Sequence, residues 1–102
     1  MGNYNYYRGN DNAFAGNQNA IIGNGNQGQG HYNTAFGDEN RINGNYNVAH
    51  GHQNTIRGNA NLAQGNQNTI NGNANEAYGN NNFVLGNRNF LGYWSSLLKN
   101  IY

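Results

Sequence analysis

From Ile21 onward a single small or aliphatic residue returns at every seventh position of this chain, set among glycine and asparagine. With glycine counted as the first position, the unit reads Gly-Asn-x-Asn-x-x-x and runs without a gap from Gly2 to Gly92. The sixth position carries the apolar residue. It is Ile21 in an early unit, and later Ala35, Ile42, Ala49, Ile56, Ala63, Ile70, Ala77 and Val84. Small and large alternate there, so the structural repeat is fourteen residues rather than seven. The third position divides the same way, with Tyr32, Tyr46, Ala60 and Ala74 in one set and Glu39, Gln53, Gln67 and Asn81 in the other.

A helix is excluded by glycine and asparagine at this density. One apolar residue per heptad also falls short of the two positions a coiled coil needs. The pattern predicts an all-β chain, a parallel β-solenoid with about fourteen residues per coil and two short strands in each. The fourth and sixth positions lie two apart on a strand, so both side chains point inward. The large and small residues named above then fill a thin core. The asparagines Asn33, Asn40, Asn47, Asn54, Asn61, Asn68, Asn75 and Asn82 are expected to form ladders, each amide bonding its equivalent one coil away. The second position is asparagine except at His31, Asp38 and His52, and a turn role is expected for it. Glycine is expected at the corner, where positive φ or close backbone approach excludes a Cβ.

Third, fifth and seventh positions are expected to face outward as two walls. The isoleucine strands present mainly polar groups, among them Arg41, Asn43, Thr55, Arg57, Thr69 and Asn71. The alanine strands present Tyr32, Tyr46, Val48, Leu62 and Tyr78, a wall apolar enough to serve as a contact surface. Gly28, between Gln27 and Gln29, interrupts the apolar ladder where the large and small phase changes. Beyond residue 92 the repeat stops. Trp94, Leu97, Leu98 and Ile101 recur at helical spacing, so residues 1–92 read as the solenoid and 93–102 as a segment that caps it or docks a neighbour.

Composition alone points toward disorder, with 9% charged residues and a mean hydropathy of -0.97. The rigid phase of the repeat argues against that, because a disordered tract has no reason to keep register. A net charge of +1 leaves no electrostatic footprint for nucleic acid. No cysteine is present, so no disulfide framework or thiolate metal site is expected. No apolar run reaches transmembrane length, and the first residues lack the basic and apolar regions of a signal peptide.

Chemistry-bearing exceptions to the repeat are few. His50-Gly51-His52 is the one close histidine pair, without a third ligand in the pattern. Aspartate occurs only at Asp11 and Asp38, whereas a calcium β-roll needs it in every turn. No lysine and hydroxyl pair follows a glycine loop as in a phosphate-binding motif. Ser95 and Ser96 have no nearby base. No catalytic, cofactor-binding or metal residue is therefore assigned, and no enzyme is expected.

Segments such as Gly16-Asn17-Gln18-Asn19-Ala20-Ile21 and Gly65-Asn66-Gln67-Asn68-Thr69-Ile70 resemble the x-x-Asn-x-Val-x-Gly repeat of grass ice-recrystallisation-inhibition proteins. Gly30-His31-Tyr32-Asn33-Thr34-Ala35-Phe36-Gly37 resembles the head repeat of trimeric autotransporter adhesins, where serine often holds the asparagine position. Both resemblances imply a left-handed parallel β-roll. The first implies ice binding on a flat wall rich in threonine or serine. This sequence has only Thr34, Thr55 and Thr69, with Arg41 and Phe83 in line with the last two. The second implies a trimer on a bacterial surface, and the stalk and anchor of that family are not among these residues.

The sequence reading favours a non-catalytic, self-associating solenoid subunit of an extracellular filament or surface layer, hence a homo-oligomer. Ice binding is the alternative. An adhesin-type module that holds a host or glycan surface through its tyrosines is the second.

Overall fold

The computed structural model describes residues 5–91, and the tail residues Trp94, Leu97, Leu98 and Ile101 lie outside them. The described chain is a parallel β-solenoid. Its strands are β1 (Tyr6–Arg8), β2 (Ala13–Ala15), β3 (Ala20–Asn24), β4 (Gln27–Gln29), β5 (Thr34–Asp38), β6 (Arg41–Asn45) and β7 (Val48–His52), followed by β8 (Thr55–Asn59), β9 (Leu62–Asn66), β10 (Thr69–Asn73), β11 (Glu76–Tyr78), β12 (Phe83–Asn87) and β13 (Phe90–Leu91). Odd strands form a seven-stranded sheet and even strands a six-stranded sheet, each in sequence order. Each strand pairs with the equivalent strand one coil on, so Ile42 registers on Ile56 and Ile56 on Ile70. Ala35, Ala49, Ala63 and Ala77 stack likewise in the other sheet.

The sixth-position residues from Ile21 to Val84 that form the expected core are buried between the sheets, apart from Gly28, and Phe14 joins them. Alanine facing isoleucine keeps the slab thin. Its smallest Cα extent is 12 Å, near the ~10 Å spacing of sheets packed face to face. The change of phase at Gly28 has a local cause. A Cβ there would sit 2.3 Å from the Phe14 ring and 2.4 Å from the Ile42 carbonyl oxygen. The aromatic ring one coil earlier occupies the space that a side chain at 28 would need.

The corner differs from the sequence expectation in two respects. Glycine does not make the bend alone. In the longer strands, such as β5 to β10, it lies within the strand, at a φ such as 131° for Gly51. Its reason for being glycine is the expected one: a Cβ on Gly58 would lie 1.7 Å from the Gly72 carbonyl oxygen. The third position supplies the left-handed residue, with φ near 60° at Tyr32, Glu39, Tyr46, Gln53, Ala60 and their equivalents. Tyr32 and Tyr46 therefore stand on a corner, not on the alanine-strand wall. Their rings stack there at 4.9 Å with an interplanar angle of 3°. Each such residue bears left-handed strain of roughly 1–2 kcal/mol, which the neighbouring coils must offset.

Candidate functional site

Two hydrogen-bonded ladders hold each corner. The inner ladder is built by the fourth-position asparagines, all buried from Asn19 to Asn82. Asn47 is representative. Its Oδ1 accepts the Asn61 backbone N–H at 2.9 Å, and its Nδ2 donates to the Gly58 carbonyl at 2.8 Å. Both partners belong to the equivalent corner of the next coil. The side-chain amide thus acts as an additional peptide group, closing the turn stacked upon it. Among the described residues, amide-to-amide bonding of the expected kind occurs at Asn5–Asn19, Asn12–Asn26, Asn40–Asn54 and Asn47–Asn61, at 3.1–3.2 Å. There as elsewhere backbone groups take the amide, because the corner leaves an N–H and a C=O facing it. Among the described residues no buried side-chain nitrogen or oxygen lacks a partner.

The second-position residues form an outer, exposed ladder that runs in the opposite sense. Asn59 Oδ1 accepts the Asn45 backbone N–H, one coil earlier, at 3.0 Å. Asp38 Oδ1 accepts from Asn24 at 2.9 Å, and His31 Nδ1 and His52 Nδ1 accept from Asn17 and Asp38 at 3.1 and 3.2 Å. This is more than the turn role expected. The clue was in the sequence: asparagine, aspartate and histidine share an acceptor atom at similar reach. The fourth position uses an acceptor and a donor together, and the asparagine amide supplies both while a carboxylate does not. A third stack lines the exposed corner before the even strands, where Gln53 donates to Glu39 at 3.1 Å and Gln67 to Gln53 at 3.2 Å.

The two outer faces differ. On the six-stranded sheet, Arg41, Thr55, Thr69 and Phe83 register in one column, and Asn43, Arg57, Asn71 and Leu85 in the other. Thr55 and Thr69 are half-buried between neighbours. The seven-stranded sheet places Thr34, Val48, Leu62 and Glu76 in one column. Val48 and Leu62 are half-buried, not prominent. Tyr78 is half-buried and donates from its hydroxyl to Glu76 at 3.1 Å. Desolvation first, and then the Glu76 hydrogen bond and charge, push its phenol above the usual range. Among the described residues the most exposed large apolar side chains on the two sheets are in the last coil: Phe83 at 64%, Leu85 at 60% and Phe90 at 60%.

His50 and His52 take different partners. The His50 ring lies 5.7 Å from Phe36 on the sheet face, while His52 sits in the outer ladder with Nδ1 3.4 Å from Asp38 Oδ2. Among the described residues no group of three metal-ligating side chains occurs, and no helix is long and apolar enough to cross a membrane.

Parallel strands in two regular sheets, joined at corners by ladders of asparagine amides, define the class of repeat protein to which this chain is assigned. A family model described as the grass antifreeze beta roll matches residues 1–92, and the chain belongs to that family. No curated protein matches it.

Proposed function

We infer that this protein binds ice through its six-stranded face and works outside the cell as a non-catalytic antifreeze or recrystallisation inhibitor. Membership of the grass antifreeze β-roll family is the observation that carries this reading. An ice-binding surface has to hold rows of water in fixed places, which calls for flatness, rigidity and a short repeat. Parallel strands at ~4.8 Å supply the repeat. The two ladders and the left-handed corners supply rigidity. Thr55 and Thr69, in register on adjacent strands, each offer a methyl and a hydroxyl that a partly ordered water layer can meet. Arg41 and Phe83 end the threonine column on either side, so the proposed surface is small. Such a patch suits slowing of ice-grain growth better than strong freezing-point depression.

Thr69→Tyr is expected to abolish recrystallisation inhibition while the β-sheet circular dichroism persists. Gln64→Tyr, exposed on the opposite sheet, is expected to leave inhibition intact. Failure of the wild type to shape ice or inhibit recrystallisation at micromolar concentration removes the reading. Equal damage from both variants removes the choice of face.

Self-association is a second reading, supported by the exposed Phe83, Leu85 and Phe90 at the last described coil. Parallel sheets also end in unpaired backbone groups. Coils of two molecules that continue one another would extend both ladders into a filament. Light scattering should then show growth with concentration, reversed by Phe83→Lys with Leu85→Lys. A monomer at high concentration rules this out.

A further inference from the structure

The first four strands of the six-stranded face, β2 to β8, carry a feature that adjoins the proposed threonine surface and shares only Thr55 with it. Between its two outward columns runs an open trough of about 390 Å³, with Gln27, Arg41 and Thr55 on one side and Gln29, Asn43 and Arg57 on the other. Its floor is the backbone at Gly28, Ile42 and Ile56. Arg41 pairs with Thr55 and Asn43 with Arg57, so the arginines stand diagonally on adjacent strands, their Cα atoms ~8 Å apart from strand spacing and rise. Both are exposed. Among the described residues the one ion pair joins His52 and Asp38, which leaves both guanidinium groups without a carboxylate. No outward residue of β2, β4, β6, β8, β10 or β12 is acidic. Glu39, at the adjoining corner, already accepts a hydrogen bond from Gln53.

We propose that this trough binds an extended, carboxylate-bearing polysaccharide of the polyuronate type. Guanidinium forks match carboxylates through paired N–H donors, and two of them set diagonally meet carboxylates on separate rings of one chain. Gln27, Gln29, Asn43 and Thr55 provide donors and acceptors for the hydroxyls between those charges. The trough is shallow and open along its length, which suits a chain and not an enclosed small molecule. Nucleic acid fits less well. The trough has no aromatic side chain on which bases would stack, and two arginines are sparse for a continuous phosphate backbone. Thr55 borders both this trough and the proposed ice surface, but the arginines belong to the trough.

The test is calorimetric titration of the full chain with hexagalacturonate at low salt, with cellohexaose and a short single-stranded oligonucleotide as comparisons. Hexagalacturonate should bind, and added salt should weaken it. Arg41→Gln with Arg57→Gln should lower its affinity roughly tenfold or more, as loss of charged hydrogen bonds requires. Arg8→Gln, on the other sheet, should leave it unchanged. Thermal melting of the double variant should match the wild type, since both arginines are exposed and unpaired. Ice recrystallisation inhibition by that variant should also persist, which separates this site from the ice reading. Absence of hexagalacturonate binding overturns the proposal. So does equal affinity for cellohexaose, tighter binding of the oligonucleotide, or unchanged affinity in the double variant.

Discussion

Asparagine occupies the second and fourth positions of nearly every heptad, yet the two sites ask different things of it. At the second position only Oδ1 is engaged in the ladder, and Asp38, His31 and His52 meet the same need with their own acceptors. At the fourth position Asn61 uses both ends of its amide, accepting from Asn75 N–H at 2.9 Å and donating to the Gly72 carbonyl at 2.8 Å. A carboxylate there would face a carbonyl oxygen in a buried site. Asn61→Asp is therefore expected to cost at least about 3 kcal/mol, the upper range for an unsatisfied buried group with a charge added. Asn59→Asp, two residues away, is expected to stay within about 0.5 kcal/mol, as for an ordinary surface substitution. Urea unfolding of the two variants at neutral pH measures the contrast. Equal shifts in midpoint would mean that the inner ladder contributes no more than the outer.

At the scale of the strand, one period-two rule places nearly everything that matters. It puts the fourth and sixth residues inside and the fifth and seventh outside, as Asn54 and Ile56 inside and Thr55 and Arg57 outside illustrate. The rule fails at the third residue. That position precedes the strand and takes a left-handed φ, so Tyr46 leaves the sheet for the corner. Gly28 is the other departure. The aliphatic ladder breaks there because Phe14 reaches across the coil boundary, a contact between residues two heptads apart. Below that point Ile42, Ile56 and Ile70 stack in one sheet while the alanines stack in the other.

The described residues form a stack in which each coil meets its neighbours, so their stability should behave as a sum of coils and interfaces. This separates two deletions. Removing residues 58–71 takes out one complete coil and keeps every later strand in its own sheet. Removing 58–64 takes out half as much but transfers every later strand to the opposite sheet. Ile70 would then follow Ala49 in the alanine column and face Ile56, overfilling a core built for large against small. Such overpacking costs about 1–3 kcal/mol per site. The shorter deletion is thus expected to lower the melting temperature more than the longer one. The reverse order, measured by circular dichroism, would show that the Ile and Ala alternation does not set the packing. The same additive construction lets one face change along the rod, with the arginines on the middle strands β6 and β8 of the even sheet and the threonine column ending at Phe83 on β12.

Much of this could be read before any coordinates. The density of glycine and asparagine excluded helix, the seven-residue phase argued against disorder, the Ile and Ala alternation set the fourteen-residue coil, and the spacing of two placed Asn54 beside Ile56 in the core. These are local consequences of backbone geometry, repeated until they leave little choice. The sequence also set the order of side chains along each face, because register follows from the repeat. The three-dimensional structure decided what depends on the next coil. The partners of the inner amides, the outer ladder shared by Asn59, Asp38 and His52, and the ring of Phe14 over Gly28 all involve residues fourteen or so apart. So does the trough between Arg41 and Arg57, whose diagonal placement arises only when β6 and β8 lie side by side. A periodic sequence states which residues are equivalent; the contact between equivalent residues exists only once the coils are stacked.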